Sequence, residues 1–77
     1  MNKDRRKELT AIGAAILEAK DHLEAVRDAE QEAFDNLPDS LQQGERGQAM
    51  EEAIGNLEST IANLEDAAGE IEGIANV

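Results

Sequence analysis

The sequence predicts an all-α protein: a two-helix antiparallel coiled-coil hairpin that dimerises into a four-helix bundle. Three observations carry this. First, apolar residues recur in alternating steps of three and four at Leu9, Ile12, Ile16, Ala19, Leu23, Val26, Glu30, Ala33 and Leu37. Second, the same alternation returns at Met50, Ile54, Leu57, Ile61, Leu64, Ala68, Ile71 and Ala75. A 3-4 repeat puts its side chains on one narrow helical stripe, the seam of a coiled coil. Third, Pro38 separates the two ladders, and a proline cannot continue a helix begun before it. A chain of 77 residues allows one domain, and a lone hairpin of that size has almost no interior. The single domain spans residues 1–77, with a helix over about 3–35, a turn at 36–40 and a helix over about 41–75.

Each element has its own signals. Asn2 or Asp4 caps the first helix. At its far end Asn36 suits a left-handed C′ position, Leu37 the apolar contact beyond it, and Pro38 the stop. Ser40 and Gln43 have the spacing of a capping box for the second helix. Gly44 and Gly47 weaken its first turns by about 1 kcal/mol each relative to Ala, so residues 40–48 are expected to be irregular. A tight turn pairs positions whose numbers sum to 80, such as Leu9 with Ile71, Ile16 with Leu64 and Leu23 with Leu57. Glu72, Glu58 and Glu51 then lie opposite Arg6, Lys20 and Arg27. A longer loop would permit a slip of one heptad, to a sum of 87. Glu30 interrupts the first ladder, either as a solvent-reached position near the turn or as a register device. Phe34, Leu37, Pro38 and Leu41 gather at the turn, as a hydrophobic end cap or as a binding tip.

Composition narrows the function. Phe34 is the only aromatic residue and cysteine is absent, so disulfides, thiolate metal sites and cysteine catalysis are excluded. The formal net charge is −11 and it is uneven. Lys3, Arg5, Arg6 and Lys7 against Asp4 give the first seven residues +3, which leaves −14 on the rest. Such a body repels phosphate backbones and favours a protein partner with a basic surface. Direct nucleic-acid binding would rest on the Lys3–Lys7 cluster alone, with no aromatic platform beside it. No apolar run suits a membrane span or a secretory signal, so a cytoplasmic location is expected.

The residues for chemistry are sparse. His22 is the only histidine, and the repeated Glu-x-x-His pairs of a di-metal bundle do not occur. Thr10, Ser40, Ser59 and Thr60, the only hydroxyls, form no nucleophile arrangement with it. No enzymatic activity, no metal and no cofactor are expected. Two surfaces stand out instead. Glu51, Glu52, Glu58, Glu65 and Asp66 form a candidate acidic binding face on the second helix. Ala11, Ala14 and Leu17 with Gly55, Ala62 and Gly69 form a candidate self-association face of small and apolar side chains.

The segment Glu30–Ile54, and within it the block from Phe34 to Ala53 (Phe-Asp-Asn-Leu-Pro-Asp-Ser-Leu-Gln-Gln-Gly-Glu-Arg-Gly-Gln-Ala-Met-Glu-Glu-Ala), resembles short proteins encoded by bacteriophages, prophages and conjugative elements. Those proteins share a basic start like Arg5-Arg6-Lys7 and a Glu-rich helical tail. The resemblance implies a setting in the bacterial host cytoplasm, and it transfers no residue roles. In that setting the expected function is a protein-interaction module that binds and inhibits or modulates a host protein. Defence systems are among the candidate targets, and imitation of a nucleic acid backbone is one route. The alternative is a structural coiled-coil scaffold or adaptor acting as a homodimer.

Overall fold

Two long helices lie side by side along a rod of 58 × 14 × 12 Å in the computed structural model, which describes residues 1–77. Helix α1 spans Lys3–Asp35, α2 is a single turn at Asp39–Gln42, and α3 spans Glu45–Ala75. No strand is present. No helix is long and apolar enough to cross a membrane.

The start of α1 follows from Asn2. Its backbone is extended, and its side-chain oxygen accepts the Arg5 N–H at 2.8 Å, satisfying one of the orphan donors of the first turn. Asp4 is helical and places a negative charge where the helix dipole favours it.

The far end differs from the expectation. Asn36 stays right-handed (φ −85°); its N–H donates to the Glu32 carbonyl at 3.0 Å, and the Leu37 N–H donates to the Phe34 carbonyl at 3.0 Å. No residue has a positive φ. Pro38, at φ −56°, does not open a tight turn but starts α2, and its carbonyl accepts from Leu41 and Gln42 at 2.9 and 3.0 Å. A proline preset to this φ suits the entrance of a helical turn. Ser40 therefore lies inside α2 instead of capping the second long helix, and Gly44 takes the N-cap position of α3 without any side-chain cap. The connector runs over 36–44, longer than the expected turn at 36–40.

That longer connector moves the register. Gly13 faces Ile71, with an ideal Cβ on Gly13 lying 3.7 Å from Ile71 Cγ2, and these positions sum to 84. At the open end the Arg6 guanidinium donates to the Val77 carbonyl at 2.7 Å. The expected sums of 80 and 87 are both replaced. The ladder of α3 keeps its predicted phase, and Ile54, Ile61, Ala68 and Ala75 are its buried members. The ladder of α1 rotates. Leu9, Ile16, Leu23, Glu30 and Leu37 stay half-buried at the seam. The positions between them become Gly13, Lys20, Arg27 and Phe34, in place of Ile12, Ala19, Val26 and Ala33. Ile12 and Val26 are left 49% and 54% exposed.

The rotation has a physical basis in the side chains that enter the seam. Lys20 and Arg27 lay their methylene stems across it and carry their charged heads out to one side. Lys20 Nζ lies 3.2 Å from Glu24, 3.3 Å from Asp21 and 3.6 Å from Glu65. The Arg27 guanidinium lies 3.0 Å from Asp28. The interhelical partner of Lys20 is thus Glu65, one heptad from the expected Glu58. Neither Arg6 with Glu72 nor Arg27 with Glu51 pairs. At the connector the Gln42 amide donates to the Phe34 carbonyl at 3.0 Å, tying α2 to the end of α1.

The core is thin. Only Gly13, Gly47, Ile54, Ile61, Ala68 and Ala75 are buried. Gly13 is a weak point with room to spare, so Gly13→Ala should stabilise the protein by about 1 kcal/mol, because alanine is that much better inside a helix. Thermal unfolding reads this directly, and an unchanged or lower midpoint would contradict the Gly13–Ile71 packing.

Candidate functional site

The seam divides the surface of the rod into two broad sides of opposite chemistry. The Lys20–Glu65 contact fixes which flank of α1 shares a side with which flank of α3. One side carries Thr10, Ala14, Leu17, Asp21, Glu24, Asp28 and Asp35 from α1. From α3 it carries Glu51, Glu58, Glu65 and Glu72, recurring every seven residues, with Gly55, Ala62 and Gly69 alongside. Its only cations in the middle of the rod are the heads of Lys20 and Arg27, and neighbouring acids already engage both. The hydrogen bonds that the Lys20 ammonium donates to Glu24, then Asp21, raise its pKa above the ordinary lysine value.

Of the five residues expected to form the acidic face, Glu51, Glu58 and Glu65 align on this side. Glu52 and Asp66 sit on the outer ridge of α3, pointing away from α1. All five are exposed. The column is regular because a seven-residue repeat advances two helical turns, about 10.5 Å.

The expected self-association residues fall on this acidic side too, apart from Ala11, which lies on the outer ridge of α1. Leu17 is 43% exposed. Leu17 borders a groove of about 360 Å³ near the open end, floored by Leu9, Gly13, Ala68, Ile71 and Ala75 and rimmed by Thr10 and Glu72. The groove exists because Gly13, Ala68 and Ala75 are too small to fill the gap between the helices. An ideal Cβ on Gly55 or Gly69 meets nothing within 4 Å, so those glycines open onto solvent.

The opposite side departs from the sequence-based expectation. The rotated phase of α1 turns a second 3-4 ladder outward: Ile12, Ala15, Ala19, His22, Val26, Ala29 and Ala33, all exposed. Beside it α3 presents Ala49, Ala53, Asn56, Thr60, Asn63, Ala67, Glu70 and Ile74. From Ile12 to Ala33 and from Ala49 to Ala67, neither ladder holds an Asp, Glu, Lys or Arg. This is unusual in a chain that is 32% charged. The signal is present in the sequence, but placing Ile12, Ala19, Val26 and Ala33 in the seam hides the second ladder.

The Phe34–Leu41 cluster divides. Phe34 and Leu37 are half-buried, whereas Leu41 is 45% exposed. Glu30 is half-buried at the seam and does not pair with Arg46. His22 is exposed on the uncharged side. No family model matches this chain, and no curated protein or solved structure matches it.

Proposed function

We propose that the protein is a non-enzymatic interaction module of a phage or mobile element, an acidic helical hairpin that binds and inhibits or modulates a host protein in the bacterial cytoplasm. The observation that supports this is the acidic side. Eight carboxylates, those of Asp21, Glu24, Asp28, Asp35, Glu51, Glu58, Glu65 and Glu72, share one side of the rod, and at mid-rod only Lys20 and Arg27 accompany them, with Lys3 and Lys7 at the open end. A basic groove shaped for a nucleic acid backbone is the complementary surface. The apolar groove between Leu17 and Ile71 offers a seat for one apolar side chain of that partner. Electrostatic complementarity of this kind accelerates and steers association, and salt screens it.

The test is capture of partners from nuclease-treated bacterial lysate at low and high salt. The combined variant Glu51→Gln, Glu52→Gln, Glu58→Gln, Glu65→Gln and Asp66→Asn serves as comparison. Retention of a nucleic-acid-handling protein at low salt, lost in the variant by at least about tenfold, is the expected result. A partner held equally by both proteins would sink the acidic reading.

A second reading, a homodimeric scaffold built as a four-helix bundle, is favoured by a separate observation. The pair of helices buries few side chains and leaves Ile12, Leu17, Val26 and Ile74 between 43% and 54% exposed. The two readings are compatible if self-association uses one side of the rod and partner binding the other.

A further inference from the structure

We propose that two copies of this chain pack face to face through the uncharged side, related by a twofold axis perpendicular to the rod at the level of His22. The inference rests on the self-association reading and names its surface and geometry. It moves the dimer contact away from the Leu17 side, where a second copy would bring the Glu51–Glu72 columns of both chains together.

Four observations select a second copy of the chain as the occupant. The first is charge. The middle of this side is free of ionised groups, so a chain of net charge −11 meets its own copy there without like-charge repulsion. The second is self-complementarity. With the axis at His22, Ile12 lies opposite Ala33 of the second copy, Ala15 opposite Ala29, and Ala19 opposite Val26. Every large aliphatic side chain of the α1 ladder meets an alanine.

The third is that α3 obeys the same axis independently. The Gly13–Ile71 register puts His22 level with Ile61 and Ala62. Rotation about that level sets Ile74 opposite Ala49 of the second copy, and Thr60 opposite Asn63. The Thr60 hydroxyl already donates to the Asn56 carbonyl at 2.9 Å, so covering it leaves no orphaned donor. A parallel arrangement of the two rods would set Ile12 between Glu70 and Ile74 and Ala19 between Asn63 and Ala67, which brings a carboxylate against the Ile12 side chain.

The fourth is area. The same level is the midpoint between the open end and the Gln42 turn, so the two rods overlap along their full length. A face of 58 × 14 Å amounts to roughly 800 Å² per copy, the size of a standard stable interface; its uncharged middle, from Ile12 to Ala33, covers about half of that length, and Arg5, Glu8, Arg46 and Glu70 lie toward its ends. Alanine ladders also permit close approach of the helices. The outcome is an antiparallel four-helix bundle with both acidic sides turned outward.

The chain lacks cysteine, so single-cysteine variants report distances cleanly. His22→Cys, Ala15→Cys and Ala29→Cys, whose parent side chains are exposed in the single chain, are treated with a short bis-maleimide. His22→Cys should cross-link to its own copy, and a mixture of Ala15→Cys with Ala29→Cys should cross-link as a heterodimer. Ala15→Cys alone should not, since its copies lie about 21 Å apart along the axis. Sedimentation equilibrium runs alongside. Val26→Glu should convert dimer to monomer, while Leu17→Glu should leave the dimer intact. A wild-type monomer at every concentration would overturn both the self-association reading and this geometry. A dimer that Leu17→Glu dissociates, or one in which the His22→Cys variant fails to cross-link, would overturn the geometry alone.

Discussion

Gly47→Ala should destabilise the protein by about 2 kcal/mol, although the same substitution at Gly13 stabilises it. Both glycines lie inside long helices, and both replacements gain about 1 kcal/mol of intrinsic helix preference. What differs is the surroundings. Around Gly13 an added methyl finds Ile71 at ordinary contact distance. Over Gly47 the chain of α2 crosses directly, and a Cβ would collide with the Gln42 carbonyl and come within 2.6 Å of the Gln42 Cα. Backbone cannot swing aside as the end of a flexible side chain can. Overpacking of this kind costs about 1–3 kcal/mol, and here it also breaks the Gln42–Phe34 hydrogen bond that ties the connector to α1. In a domain of this size a loss of 1 kcal/mol lowers the midpoint by about 4–8 °C. Thermal unfolding of the two alanine variants side by side checks the prediction. Equal stabilisation by both would show that α2 does not pack over Gly47.

Ile61→Ala should be the most damaging single truncation. Ile61 is 6% exposed, at mid-rod, and the register sets it opposite Leu23. Truncating a buried isoleucine costs about 2–5 kcal/mol, while a core this small supplies only about 3–5 kcal/mol in total. The variant should therefore lose most of its helical circular dichroism at room temperature and low protein concentration. Leu17→Ala, which removes a side chain 43% exposed, should cost well under about 1 kcal/mol in the same assay. Comparable losses in the two variants would mean that the seam does not run where the register of 84 puts it.

Much of the architecture was legible without coordinates. The ladder from Met50 to Ala75 predicted the buried stripe of α3, because apolar spacing at 3-4 intervals admits one helical phase. The start of α1 was legible to within two residues, at Asn2 or Asp4, because both have a short polar side chain that can accept from free N–H groups, and the structure uses Asn2. The acidic column at Glu51, Glu58 and Glu65 was visible for the same reason: helical phase is local. Two features were not legible. The capping signal at Ser40 lost to Pro38, whose preset φ began a helical turn ahead of it. The seam of α1 held two candidate ladders one residue apart, and the apolar residues of the one that stayed outside disguised it as the seam.

By itself, then, the sequence determined that the chain forms two long helices, where α1 begins, which stripe of α3 is buried and where the negative charge concentrates. These depend on contacts within a few residues, which spacing and side-chain chemistry encode directly. Only the tertiary structure decided the register, and with it which residues of α1 remain outside. That choice depends on the path of the connector over Gly47. A shift of four in the pairing accompanies a turn of α1 by about 50°, enough to carry Lys20 and Arg27 into the seam and leave Ile12 and Val26 on the surface. The uncharged side, on which the dimer is proposed, exists because of that rotation.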